Sequence, residues 1–155
     1  MVLLNSNEKI YHHLRALFKI DIHPMGELEF EYSRRTGRIK NFSIGGSLFA
    51  TLRTDGGLAI TIFGARNLMK NKGFKENCVI PNSESLPFVC EGRSLFSKHV
   101  NWCGSNVEIG SDVAIIDTSD NVLAVGRALL GARVMKTYRK GVAVKVREGI
   151  KSRVD

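Results

Sequence analysis

A chain of 155 residues with 43% hydrophobic and 25% charged side chains has the composition of a folded globular protein, large enough for one big domain or two small ones, and not that of a disordered chain. No apolar run approaches the roughly 20 residues that cross a bilayer, and Met1–Leu4 is too short for a signal peptide, so the sequence predicts a cytoplasmic protein with no membrane partner. Its net charge of +8 calls for an anionic partner, of which nucleic acid is the commonest.

The first predicted element is an amphipathic helix over about 6–18. Ile10, Leu14, Leu17 and Phe18 fall on one face, and Asn5 and Glu8 have the spacing of a capping pair. Glu27 to Tyr32 alternates acid with apolar side chains, the pattern of a half-buried strand. The runs Leu48 to Arg53 and Leu58 to Phe63 flank Thr54-Asp55-Gly56-Gly57, where Asp-Gly signals a hairpin turn. A short helix is expected over 64–70, and Asn71-Lys72-Gly73 forms a joint too short to be a flexible linker.

Past that joint the expected elements are short strands. They are Cys78 to Ile80, Leu95 to Val100, Val113 to Ile116, Val122 to Val125 and Val142 to Val146. Ser83 to Glu91 reads as one or two helical turns interrupted by Pro87 and ended by Gly92, and Thr118 to Asn121 closes a hairpin. Short strands at this spacing predict a small barrel. The chain thus divides into a small α+β unit over 1–72 and a barrel over 73–155, an α+β protein whose two halves pack together.

Charge follows this division unevenly. From Arg133 onward eight bases face Glu148 and Asp155, a balance of +6, whereas residues 73–132 carry four bases against seven acids. Cys78, Cys90 and Cys103 are widely spaced with no Cys-x-x-Cys pair, which predicts reduced, buried thiols. His12, His13, His23 and His99 are scattered without ligand spacing, and His12 and His13 lie about 100° apart on a helix. Ser47 and Ser94 lack a nucleophile context, and Gly45-Gly46 is an isolated pair, not a nucleotide-binding loop. The expectation is a protein with no catalytic residues, no metal and no cofactor.

Four blocks resemble the PUA domain, a family named for pseudouridine synthases and archaeosine transglycosylases. They are Glu91-Gly92-Arg93-Ser94-Leu95-Phe96, Gly110-Ser111-Asp112-Val113, Asn121 to Ala128 and Lys140 to Arg147, in the order and spacing of that domain over about residues 75–150. Ser111 departs from the Asp that often follows the glycine, a difference confined to a turn. The first half, through Thr36 to Asn41, Leu48 to Gly56 and Gly64-Ala65, resembles the segment before the PUA domain in archaeal tRNA-guanine transglycosylase and archaeosine synthase. That likeness covers about residues 27–70 and implies an archaeal source. It also implies that the chain corresponds to the tRNA-gripping end of those enzymes without their catalytic barrel.

The resemblance implies where RNA binds. In PUA domains the helix after the first strand, the glycine ending it and the second strand form the RNA face, with the last strand beside it. Matched by position, this selects Gly92, Arg93, Ser94, Phe96 and Lys98, together with Lys145 and Arg147, whose shared parity puts them on one strand face. Arg34, Arg35, Arg38 and Lys40 crowd a turn and form a second candidate patch. The expected function is to bind tRNA without catalysis and present it to a separate modification enzyme. The competing reading is a protein-interaction subunit of a tRNA-modification complex with a mainly structural PUA-like half. The acidic face of Glu27, Glu29 and Glu31, which would repel phosphate, favours it.

Overall fold

A computed structural model describes residues 5–22 and 24–152. Met1–Leu4, His23, Arg153 and Asp155, which enter the readings above, lie outside the described residues. Helix α1 (Ser6–Phe18) begins as its sequence requires: Asn5 accepts the Glu8 N–H at 2.9 Å, while its amide donates to the Glu8 carboxylate at 3.2 Å. It buries Ile10, Leu14 and Phe18 and ends at Lys19 in the left-handed region (φ 54°).

A four-stranded antiparallel meander follows: β1 (Leu28–Tyr32), β2 (Ile39–Ile44), β3 (Ser47–Leu52) and β4 (Leu58–Ile60). Phe30, Phe42, Ala50 and Ile60 stand opposite one another across the four strands, and Phe42 stacks on Phe49 at 4.9 Å. β2 is absent from the sequence-based expectation. Gly45 and Gly46, with φ of 57° and 81°, are the two-residue turn joining it to β3, a conformation that glycine adopts without strain. Helix α2 (Ile62–Leu68) starts two residues earlier than expected because Thr61 caps it, accepting the Gly64 N–H at 3.0 Å.

The second half holds β5 (Cys78–Pro81), α3 (Leu86–Cys90), β6 (Leu95–Phe96), β7 (Val100–Cys103), β8 (Asp112–Ile116), β9 (Val122–Ala128), α4 (Ala132–Thr137) and β10 (Val142–Gly149). They form one six-stranded sheet in the order β6-β10-β9-β8-β5-β7. A single 3-10 turn, Ser97–His99, joins its two edge strands, so the sheet curls into a nearly closed barrel. The expected single strand from Leu95 to Val100 is therefore two strands with a corner between them. At that corner Ser97 is fully buried and donates its hydroxyl to the Tyr138 carbonyl at 2.6 Å. In the turn before β8 the hydroxyl of Ser111 accepts the Glu108 N–H at 2.9 Å, a bond that an Asp there could also make.

The two halves share a core. Along β8, Val113 and Ile115 point into the barrel, while Ala114 and Ile116 pack with Ile10, Phe42, Leu58 and Leu68 of the first half. β5 divides likewise, with Val79 inward and Cys78 and Ile80 toward the first half. Such strands are covered on both faces, which is why their sequences do not alternate.

All three cysteines are buried, and burial pushes each thiol upward, that of Cys103 to about 11. Iodoacetamide at pH 8 is accordingly expected to leave the native protein unlabelled and to modify all three after denaturation. Mass spectrometry reads the outcome, and rapid labelling of the native chain would contradict this burial.

Candidate nucleic-acid interface

Two concave surfaces collect six of the eleven predicted residues. The first is a cleft of about 220 Å3 beside the end of α3, lined by Glu84, Ser85, Phe88, Arg93, Ser94, Phe96 and His99. Pro87 in the first turn of α3 costs no hydrogen bond, and Gly92, at φ 95°, lets the chain reverse into β6. A Cβ on Gly92 would stand 2.6 Å from the Ser152 hydroxyl, so this glycine answers to helix termination and to the packing of the last described residues.

Arg93 is held but available. Its guanidinium lies over the Phe88 ring at 5.4 Å, its side chain is 70% exposed, and its contact with the Glu91 carboxylate is a loose 3.9 Å. Phe88 and Phe96 are each 48% exposed, an outlay of aromatic surface that folding does not explain. Lys98 is exposed in the 3-10 turn next to the cleft and does not line it.

Lys145 and Arg147 are both exposed on β10, on either side of the buried Val146. Lys145 is exposed on β10 opposite the exposed Arg127 of β9. The register shifts between Val146 and Glu148, just past that alternation, and the Arg147 guanidinium donates to the Ile60 carbonyl of the first half.

The second surface is a groove of about 750 Å3 in the first half. α1 contributes Lys9 and His13, the end of β1 Tyr32, the turn and β2 Arg35, Arg38 and Lys40, and the end of β3 Arg53. Among the described residues no carboxylate lines it. The turn that presents Arg35 and Arg38 is closed by the Ser33 N–H donating to the Arg38 carbonyl and the Gly37 N–H to the Ser33 carbonyl, both at 2.8 Å, with Gly37 at φ 71°. Arg34 is exposed in the same turn but lies outside the groove lining. Lys40 keeps a loose contact of 3.7 Å with Glu31, whose carboxyl is held below its ordinary range first by the Asn41 amide and then by Lys40.

Behind the groove, Arg53 runs into the joint between the halves. It meets Asp112 of β8 at 2.5 Å and Asp55 at 3.1 Å, and Asp55 also meets Arg127 at 3.1 Å. Burial pushes the Asp112 carboxyl up, against the pull of Arg53 and the Leu58 N–H. Lys9, His13, Tyr32 and Arg53 of the groove escaped the sequence reading because elements distant in the chain bring them there, whereas Phe88 and His99 lie in the same stretch, 84–99, as the rest of the cleft. Among the described residues no group of three or more His, Cys, Asp or Glu side chains is placed to hold a metal, and no helix is long and apolar enough to cross a membrane.

A curled six-stranded sheet with a glycine-ended helix at its rim is the fold of the PUA domain, and residues 79–150 match that family. Residues 14–73 match the patch-forming domain C2 of tRNA-guanine transglycosylase. The chain is a PUA-domain protein homologous to the C-terminal region of the archaeal tRNA-guanine(15) transglycosylases. It is 35% identical over 127 residues to the enzyme of Methanobrevibacter smithii, covering 81% of this chain and 19% of that one. To the enzyme of Methanothermobacter thermautotrophicus it is 37% identical over 124 residues, covering 79% and 19%. The chain thus spans about a fifth of the length of these relatives.

Solved structures share the fold at low identity. A conserved PUA domain protein from Thermoplasma acidophilum aligns with a TM-score of 0.69 at 18% identity, over 93% of this chain and 88% of that one. A protein from Pyrococcus horikoshii aligns with a TM-score of 0.70 at 18% identity, over 94% and 90%.

Proposed function

We propose that this chain is a non-catalytic RNA-binding module of the cytoplasm, that its RNA is tRNA, and that it presents that RNA to a separate modification enzyme. The observation that carries the reading is the cleft beside Gly92: an exposed Arg93 and two exposed aromatic rings, on the domain shared with enzymes named for a tRNA. Arg93 forks across phosphate oxygens, Lys145 and Lys98 act as point charges beside it, and the rings offer faces to bases. The groove, with Lys9, Arg35, Arg38, Lys40 and Arg53 in its lining, adds a second cationic surface on the first half.

The rival protein-docking role leaned on Glu27, Glu29 and Glu31. Glu31 is tied to Asn41 and Lys40, and Glu29 accepts the Gly46 N–H at 3.2 Å, so two of the three carboxylates serve their own sheet.

Arg93→Ala is expected to weaken tRNA binding by about 1–3 kcal/mol while leaving stability within about 0.5 kcal/mol. Arg133→Ala removes the same charge from the exposed side of α4 and is the control. Filter binding and a thermal melt read both variants. Equal losses would mean that net charge alone governs binding, and an unfolded Arg93→Ala would make the residue structural.

A further inference from the structure

The groove of the first half is built for more than charge. Lys9, Arg35 and Arg38 stand on its rim, while Ile39, Leu52 and the ring of Tyr32 supply apolar surface within it. Tyr32 is 48% exposed, yet it is held in place: its hydroxyl bonds the Ser6 hydroxyl at 2.7 Å and its ring lies 6.2 Å from that of Phe30. His13 bonds the Gly56 carbonyl at 2.6 Å and so fixes the wall between α1 and the β3–β4 turn.

A duplex has no use for such a floor, because its bases are stacked inside and it offers phosphates and sugars alone. A depression of about 750 Å3 has the size of a small-molecule pocket and is too small to admit a helix. An unpaired strand fits both parts, with phosphates for the rim and base faces for the ring.

We propose that this groove binds an unpaired RNA segment of about two or three nucleotides, one base stacked on Tyr32 and the flanking phosphates on Arg35 and Arg38. It is a subsite separate from the cleft beside Gly92, with which it shares no lining residue. The inference rests on the RNA-binding reading above and adds what kind of RNA this half takes.

The test uses the full chain and three labelled probes: a uridine pentanucleotide, a 12-base-pair RNA duplex and tRNA, followed by fluorescence anisotropy. Tyr32→Ala is expected to raise the Kd for the pentanucleotide about tenfold, at the lower end of what a base–aromatic stack contributes, and that for the duplex less than twofold. Tyr32→Phe, which keeps the ring, is expected to stay within about twofold of the parent for every probe. A 4-thiouridine pentanucleotide is expected to photo-crosslink to the peptide containing Tyr32, a readout independent of any variant's folding.

Equal loss of pentanucleotide and duplex on Tyr32→Ala, or crosslinks that all fall outside the groove, would overturn the subsite. If tRNA still binds in that case, the RNA-binding reading stands without it. If neither tRNA nor pentanucleotide binds, both readings fall.

Discussion

Replacing Asp112 with alanine is expected to lower folding stability by about 3 kcal/mol, near the bottom of the range for breaking a buried ion pair. The carboxylate is 2% exposed and has two duties, accepting from Arg53 and from the Leu58 N–H at 3.0 Å. Its removal leaves that N–H without an acceptor and strips the buried end of Arg53 of its nearer anion. Asp55 remains to hold the other side of the guanidinium, which keeps the loss from being larger. For a chain of this length the melting temperature should fall by about 10 °C. Asp112→Asn keeps an acceptor for Leu58 and should cost clearly less. A melting temperature for Asp112→Ala within about 2 °C of the parent would show that this carboxylate does not tie the halves together.

Affinity for tRNA is expected to drop roughly a hundredfold between 50 and 200 mM salt. Arg35, Arg38, Arg93 and Lys145 give about four phosphate contacts, and each contributes a slope of about −0.7 to −0.9 in log K against log salt. The double variant Arg35→Ala/Arg38→Ala should bind more weakly at low salt and flatten the slope by about 1.5, because two counterions fewer are released. Titrations at four salt concentrations supply both slopes. A salt-independent affinity would rule out a phosphate grip, and an unchanged slope in the double variant would remove the groove from the binding surface.

Much of the fold could be read before any coordinates. α1 announced itself through Asn5, Glu8 and a single apolar face, and the Asp55-Gly56 turn sits between β3 and β4 where its chemistry put it. β2 stayed hidden because only Phe42 of its six residues is buried and its start lies in an arginine-rich turn. α4 was missed for a similar reason, since Ala132 and Met135 are its whole buried face. The corner at Ser97 could not be foreseen from Leu95 to Val100, whose apolar ends read as one strand; a buried hydroxyl bonded to Tyr138 makes the bend.

The site divides along the same line. Arg93 and Phe96 were found by likeness to a family and prove exposed at one cleft. Arg147 was chosen by the same likeness, and its guanidinium is engaged by the Ile60 carbonyl of the first half, a contact no strand pattern announces. The groove needed folding to assemble it, since Lys9, Tyr32 and Arg53 come from α1, the end of β1 and the end of β3. The Arg53–Asp112 pair joins residues 59 positions apart, a distance no local pattern spans.

The two-faced burial of β5 and β8 has a consequence for dissection. A fragment cut at the joint near residue 73 would present Ile80, Ala114, Ile116 and Val122 to water as one oily plate. Such a piece should aggregate unless those positions are first repainted with polar side chains. Denaturant should likewise meet a single indivisible block, so that hydrogen exchange in β3 and in β9 reports the same opening free energy.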